Sequence, residues 1–131
     1  MKIEQANKTL EYHGRVEITN LEVPDFDLLL MSSDVAGGPG EDVRLFIKFQ
    51  SVCYTSLPSI LEVDYHLKLC VASFEEAITF LPKSYQLDED EYTGGLKLYY
   101  FCNNNTKLSY FVLSYGIEIW QNPNDWKFSS I

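Results

Sequence analysis

The chain has 131 residues, of which 19 are acidic and 10 are basic, and its formal net charge at pH 7 is -9. Hydrophobic residues make up 46% of the sequence and aromatic residues 15%, which excludes an intrinsically disordered chain and predicts a single domain over residues 1–131. Because the negative charge repels phosphate groups and anionic lipid headgroups, we expect neither a nucleic acid nor a membrane surface as a partner.

The first segment of the chain contains no recognisable export signal. Residues 1–7 lack an apolar run, and no stretch of about 18 apolar residues follows anywhere. We therefore expect a cytoplasmic protein. Residues 8–23 alternate weakly between apolar and polar side chains around His13 and Gly14, which predicts a hairpin with a bulge near Asn20.

The next segments change from apolar to glycine-rich and then to alternating sequence. Residues 26–31 form a short apolar run, and residues 32–42 gather serine, glycine and proline, which predicts a flexible loop. Acidic residues follow the glycines at 37–40, whereas a phosphate-binding loop has a lysine and a hydroxyl residue there. Residues 43–49 then alternate with the period of two that is typical of a strand.

Residues 61–71 show the clearest alternation in the chain. They predict a strand on which Glu62, Asp64 and His66 project from one face. Two carboxylates and an imidazole can bind a divalent metal ion. Same-face neighbours on a strand are about 7 Å apart, however, and Lys68 continues the row with a positive charge, so we interpret the row as a solvated sheet face.

One helix is predicted, near residues 73–81. Ser73 and Glu76 have the spacing of a capping box, in which each side chain accepts a hydrogen bond from the other residue's backbone amide. Pro82 ends the helix, because proline lacks the amide that the next turn needs. Residues 83–95 are then predicted to form a solvated connection.

This connection carries four consecutive carboxylates, which begin at Asp88. They do not start an EF-hand loop, because Thr93 stands where that loop needs glycine and Tyr99 where it needs glutamate. The run is either a solvated stretch of charge or a contact patch for a basic protein, and nearby tyrosines favour the patch. We therefore assign partner binding to six residues: Tyr85, Asp88, Glu89, Asp90, Glu91 and Tyr92.

The last third of the chain again predicts strands. Residues 96–102 and 107–113 flank a turn at 103–106, where asparagines tolerate the positive φ of a tight hairpin. Residues 115–119 continue the alternation, and residues 121–131 either dock through their aromatic side chains or fray. The whole pattern predicts an α+β domain with seven to eight strands in a bent, mostly antiparallel sheet or half-open barrel, and with the one helix on a face of that sheet.

The sequence offers few groups for catalysis. Cys53, Cys70 and Cys102 lie in apolar sequence and are expected to be unpaired, mostly buried thiols. Neither His13 nor His66 stands at a readable spacing from a nucleophile motif. We therefore expect a protein that is not an enzyme and that has no cofactor and no metal ion.

The size, the acidity, the aromatic-rich α+β pattern and the absence of a catalytic motif resemble the small cytosolic immunity proteins that bacteria make beside polymorphic or contact-dependent toxins. The resemblance implies a stoichiometric inhibitor of a basic, nucleic-acid-cleaving toxin domain, with carboxylates standing where substrate phosphates would bind. Two alternatives stay open: an assembly protein that forms a homodimer through an aromatic surface, and a domain that binds a small ligand in a pocket of the bent sheet.

Overall fold

A computed structural model describes residues 1–22, 25–33 and 44–121. Within these ranges the chain forms three short helices and seven strands. The helices are α1 (Ile3–Leu10), α2 (Phe74–Phe80) and α3 (Glu89–Thr93). The strands are β1 (Arg15–Glu22), β2 (Asp27–Ser33), β3 (Leu45–Thr55), β4 (Ile60–Glu62), β5 (Leu67–Val71), β6 (Lys97–Asn103) and β7 (Thr106–Gln121).

The strands form one curled sheet. Their order is β4-β1-β2-β3-β7-β6-β5, and each neighbouring pair is antiparallel. The two edge strands, β4 and β5, are consecutive in the sequence, so the sheet has to curl until only residues 63–66 separate its edges. This half-open barrel with short helices confirms the predicted fold class.

Apolar side chains cover both faces of the β5–β6–β7 end of the sheet. The inner core lies under α1, and its buried members include Ala6, Leu10, Val16, Leu28, Leu30, Leu45, Ile47, Phe49, Tyr99, Phe101 and Ile119. The outer core lies under α2 and α3, and its buried members include Ala72, Ala77, Leu81, Tyr92, Leu98, Tyr100, Cys102, Phe111 and Leu113. Strand β6 therefore packs on both faces, which accounts for its nearly continuous apolar sequence.

Two local predictions are confirmed in detail. The Ser73 hydroxyl accepts the Glu76 amide at 3.2 Å, and the Ser73 amide donates to the Glu76 carboxylate at 3.2 Å, which completes the capping box of α2. The hairpin between β6 and β7 turns at Asn104 and Asn105, whose φ angles are 49° and 67°. Both features depend on residues that are close in sequence, which is why the sequence reveals them.

The hairpin predicted over residues 8–23 is wrong in its first half, because α1 and a turn occupy that part. Ala6 and Leu10 recur four residues apart and are fully buried, which is the pattern of a helix with one apolar face. The bulge near Asn20 is confirmed, since the register between β1 and β2 shifts between Ile18 and Asn20.

The single strand predicted over residues 61–71 is also wrong. The chain turns at 63–66, where Tyr65 and His66 have φ angles of 25° and 60°. The Asn103 side-chain amide donates to the Asp64 carbonyl at 2.8 Å and to the Tyr65 carbonyl at 2.5 Å. Hydrogen bonds from distant residues therefore stabilise a turn that the side-chain pattern does not reveal.

The remaining predictions for the strands and loops have mixed outcomes. The strand predicted at 43–49 is confirmed from Leu45 onward and continues to Thr55. Ser32 and Ser33 belong to β2 and not to the predicted loop. Residues 34–42 of that loop, residue 43 of the predicted strand and residues 122–131 of the C-terminal segment lie outside the described residues.

Candidate partner-binding surface

Helix α3 positions the four consecutive carboxylates, within the segment that was predicted to be a connection without helix. Asp88 is the N-cap residue, and its Oδ1 accepts the Asp90 amide at 2.9 Å. Glu89, Asp90 and Glu91 form the first turn, where the positive end of the helix dipole stabilises negative charge. The helix has no basic residue in its last turn, and all four residues of the acidic run are exposed.

The charges of this group are not neutralised locally. Across the described ranges, the ion pairs involve other carboxylates, and none of the four has a cationic side chain within ion-pair distance. All four side chains are exposed. The polar contact that reaches them from another element is the Tyr115 hydroxyl, which donates to Glu91 at 3.3 Å. Their field is therefore directed into solvent.

The two tyrosines assigned to this surface, Tyr85 and Tyr92, differ in how deeply they are buried. Tyr92 is only 4% exposed, and its hydroxyl donates to the Ala72 carbonyl inside the outer core. Its assignment to the partner-binding surface is therefore wrong, because the short helix turns this ring inward to anchor α3 on the sheet. Tyr85 is half-buried, and its ring meets the edge of the Tyr54 ring at 5.7 Å between centroids.

Two further tyrosines were not predicted: Tyr115 contacts the acidic run through Glu91, and Tyr54 contacts Tyr85. Tyr115 is 49% exposed and Tyr54 is 38% exposed. Burial and then the negative charge of Glu91 raise the pKa of Tyr115, and burial followed by Cys53 and Glu91 raises the pKa of Tyr85. Tyr85 and Tyr115 therefore both lie within the electrostatic influence of Glu91. We call the four carboxylates and these three tyrosines the acidic tyrosine surface, which consists of Tyr54, Tyr85, Asp88, Glu89, Asp90, Glu91 and Tyr115.

The row of Glu62, Asp64 and His66 does not exist as a sheet face. Glu62 pairs with Arg15 at 2.5 Å, Asp64 lies in the turn, and His66 Nδ1 lies 2.5 Å from the Glu11 carboxylate. The strand break at 63–66 separates the three side chains. Throughout the part of the chain that the structure describes, no group of three or more His, Cys, Asp or Glu side chains is placed to hold a metal ion.

The three cysteines are free, but their burial differs. Cys102 is buried and Cys70 is half-buried, whereas Cys53 is exposed, so the prediction of mostly buried thiols is wrong for Cys53. A bulge in β3 explains the difference. Ser51 has a φ of 52°, and the register with β7 shifts between Val52 and Tyr54.

A histidine and a serine meet inside the sheet. His13 Nδ1 lies 2.5 Å from Ser32 Oγ, and both residues are fully buried. This pair has the atoms of a nucleophile and its base, but a substrate has no access to either atom in this arrangement. We interpret it as a buried hydrogen bond that joins the start of β1 to the end of β2.

Comparison with protein-family models, with curated proteins and with solved structures finds no match to this chain. No helix in the described ranges is long and apolar enough to cross a membrane.

Proposed function

We propose that this chain is a protein-binding module of the immunity type, whose acidic tyrosine surface binds a basic protein domain and blocks it. The observation that carries the proposal is the combination of four exposed carboxylates, which have no ion-pair partner among the described residues, with a group of tyrosines in which Tyr115 donates to Glu91 and Tyr54 contacts Tyr85. A merely solvated charge run has no need of exposed aromatic neighbours.

The two kinds of side chain perform different steps of binding. The carboxylates attract a basic partner at long range and raise the association rate, an effect that salt screens over about 8 Å at physiological ionic strength. Tyr54 and Tyr115 provide flat apolar area with a polar end, which slows dissociation once water has been excluded. Glu91 lies at the junction, because it carries charge and also accepts the Tyr115 hydroxyl.

The test compares two variants with the same net charge. In the first, Asp88→Asn, Glu89→Gln, Asp90→Asn and Glu91→Gln neutralise the run, and the asparagine introduced at the N-cap position still caps the helix. In the control, Glu4→Gln, Asp25→Asn, Asp64→Asn and Glu75→Gln neutralise four exposed carboxylates elsewhere. Both changes reduce the net charge from -9 to -5.

The binding probe is a basic protein encoded directly beside this chain, as expected for an immunity protein, and association is followed by stopped-flow fluorescence at low and high salt. We expect the first variant to associate more slowly and to lose most of the salt dependence of its association rate. The control variant should keep most of the original association rate and most of its salt dependence. Equal rates for the two variants would assign the effect to net charge alone and overturn the proposed surface. The absence of binding by the unmodified chain would overturn the proposed function.

A second candidate function is a homodimer, and one specific observation favours it. Phe46 and Trp120 stack with ring centroids 5.7 Å apart on the face of β3 and β7 opposite the inner core, and Met31 is the cross-strand neighbour of Phe46. Trp120 remains 41% exposed. A dimer through this row predicts a concentration-dependent sedimentation coefficient that Trp120→Ser abolishes, whereas a monomer at all concentrations excludes it.

A further inference from the structure

Two of the three thiols lie next to each other on the outer face of the sheet. Strands β5 and β6 pair with Lys68 opposite Cys102 and Cys70 opposite Tyr100, so the two cysteines are diagonal neighbours on one face. Their sulfur atoms are 3.8 Å apart. This distance is van der Waals contact, and no other side chain separates the two thiols.

The two sulfurs differ in their access to solvent. Cys70 is half-buried at the sheet edge, whereas Cys102 is 8% exposed beneath the outer core. Burial and then the Cys70 thiol raise the pKa of Cys102 to about 11, and Lys68 and Lys107 oppose that shift. Solvent-borne reagents therefore reach Cys70 first, and Cys102 is the slower, second thiol.

We propose that Cys70 and Cys102 are a modification site, an oxidisable dithiol that a peroxide converts into an intramolecular disulfide. The Cys70 thiolate attacks one oxygen of the peroxide, the O–O bond breaks, and a sulfenic acid remains on Cys70. The Cys102 thiolate then attacks that sulfur, the S–O bond breaks, and hydroxide leaves. With hydrogen peroxide, the two thiols together lose two electrons and two protons, and the peroxide becomes two molecules of water.

The location in the sheet permits the required movement. The sulfurs have to approach until their separation is nearly halved, because an S–S bond is about 2.0 Å long. β5 is an edge strand whose strand partner among the described elements is β6 alone, so a shift towards β6 breaks no second ladder and loads only the two hydrogen bonds between Asn7 and Leu69 on its other side. A pair of cysteines on two central strands has less freedom to close.

The experiment uses the Cys53→Ser chain, which removes the exposed third thiol and retains a polar group in its place. The reduced protein is treated with hydrogen peroxide, unfolded, alkylated and weighed by mass spectrometry. We expect a product whose mass is lower than that of the reduced chain by two hydrogen atoms and that takes up no alkylating group. Treatment with dithiothreitol should restore both thiols. We also expect formation of this product to accelerate as the pH rises, because the Cys102 thiol has to lose its proton.

Two double variants serve as matched controls for the Cys53→Ser chain. One combines Cys53→Ser with Cys70→Ser, and the other combines Cys53→Ser with Cys102→Ser. Neither should give the two-hydrogen loss within one chain. The proposal is overturned if the Cys53→Ser chain still takes up two alkylating groups after peroxide, if it gains only oxygen atoms, or if its disulfide joins two chains on a non-reducing gel.

Discussion

The side chain of Asn7 completes the hydrogen bonding of an exposed sheet edge, and its removal gives a quantitative prediction. Its Nδ2 donates to the Leu69 carbonyl at 2.9 Å, and its Oδ1 accepts the Leu69 amide at 2.8 Å. Leu69 is the central residue of β5, the edge strand on this side of the sheet. One amide side chain on α1 therefore takes the place of a neighbouring strand.

The change is Asn7→Ala, which removes both hydrogen bonds and leaves the helix backbone intact. Each bond contributes about 1 kcal/mol net, so their loss costs about 2 kcal/mol. Alanine regains about 0.5 kcal/mol, because it is the better helix former. We therefore expect the free energy of unfolding to fall by about 1.5 kcal/mol.

The assay is urea unfolding by linear extrapolation, combined with amide hydrogen exchange. The matched control is Gln5→Ala, an exposed position on the same helix, which should change stability little. The Leu69 amide should exchange faster in Asn7→Ala and at the original rate in the control. The reasoning is refuted if the two variants are equally stable and the Leu69 amide keeps its protection.

Two further predictions concern packing and pH. Gly14→Ala should cost more than about 2 kcal/mol in urea unfolding, because its Cβ would overlap the backbone carbonyl oxygen of Val63, which cannot move aside as a side chain can. Gly116→Ala should cost less, since the atom nearest to its Cβ would be the movable Oε1 of Gln50, and equal costs would contradict this interpretation of the contacts. Burial, together with Cys70 and Glu76, raises the pKa of Tyr100 to about 12. The unfolded chain therefore releases this proton first, and the stability that Tyr100 provides is lost as the pH rises from about 10 towards 12. Tyr100→Phe should flatten that part of the stability curve, and an unchanged curve would show that the proton of Tyr100 is not linked to folding.

The predictable parts of the fold are those with local causes. Ser73 and Glu76 stabilise their helix across three residues, and the asparagine turn joins strands that follow each other directly. The turn at 63–66 has no such signal, because its residues continue the alternation of β4 into β5. It forms because Gly14 accepts the Val63 amide at 2.8 Å and Glu11 accepts the His66 amide at 2.9 Å, and both acceptors are about 50 residues away.

The acidic tyrosine surface also has one part that the sequence reveals and another part that it does not. The acidic run is visible in the sequence, because four carboxylates are consecutive. Tyr54 and Tyr115 join it only through the pairing of β3 with β7, and the shift of register beside Tyr54 is not encoded by any short motif. Tyr92 was assigned wrongly because a five-residue helix leaves too few positions to show which side is apolar.

The link at residues 63–66 also affects how the molecule can accommodate additional side-chain volume in its inner core. An open sheet can relieve extra volume by flattening, since its two edges are free to separate. Here the backbone itself joins β4 to β5, and the contacts of the link with Gly14 and Asn103 hold both ends of that short span. The separation of the two edges is therefore limited by chain length at the end of the sheet where the link lies. A larger side chain in the inner core near that end would have to displace α1, because the two edge strands cannot move far apart there.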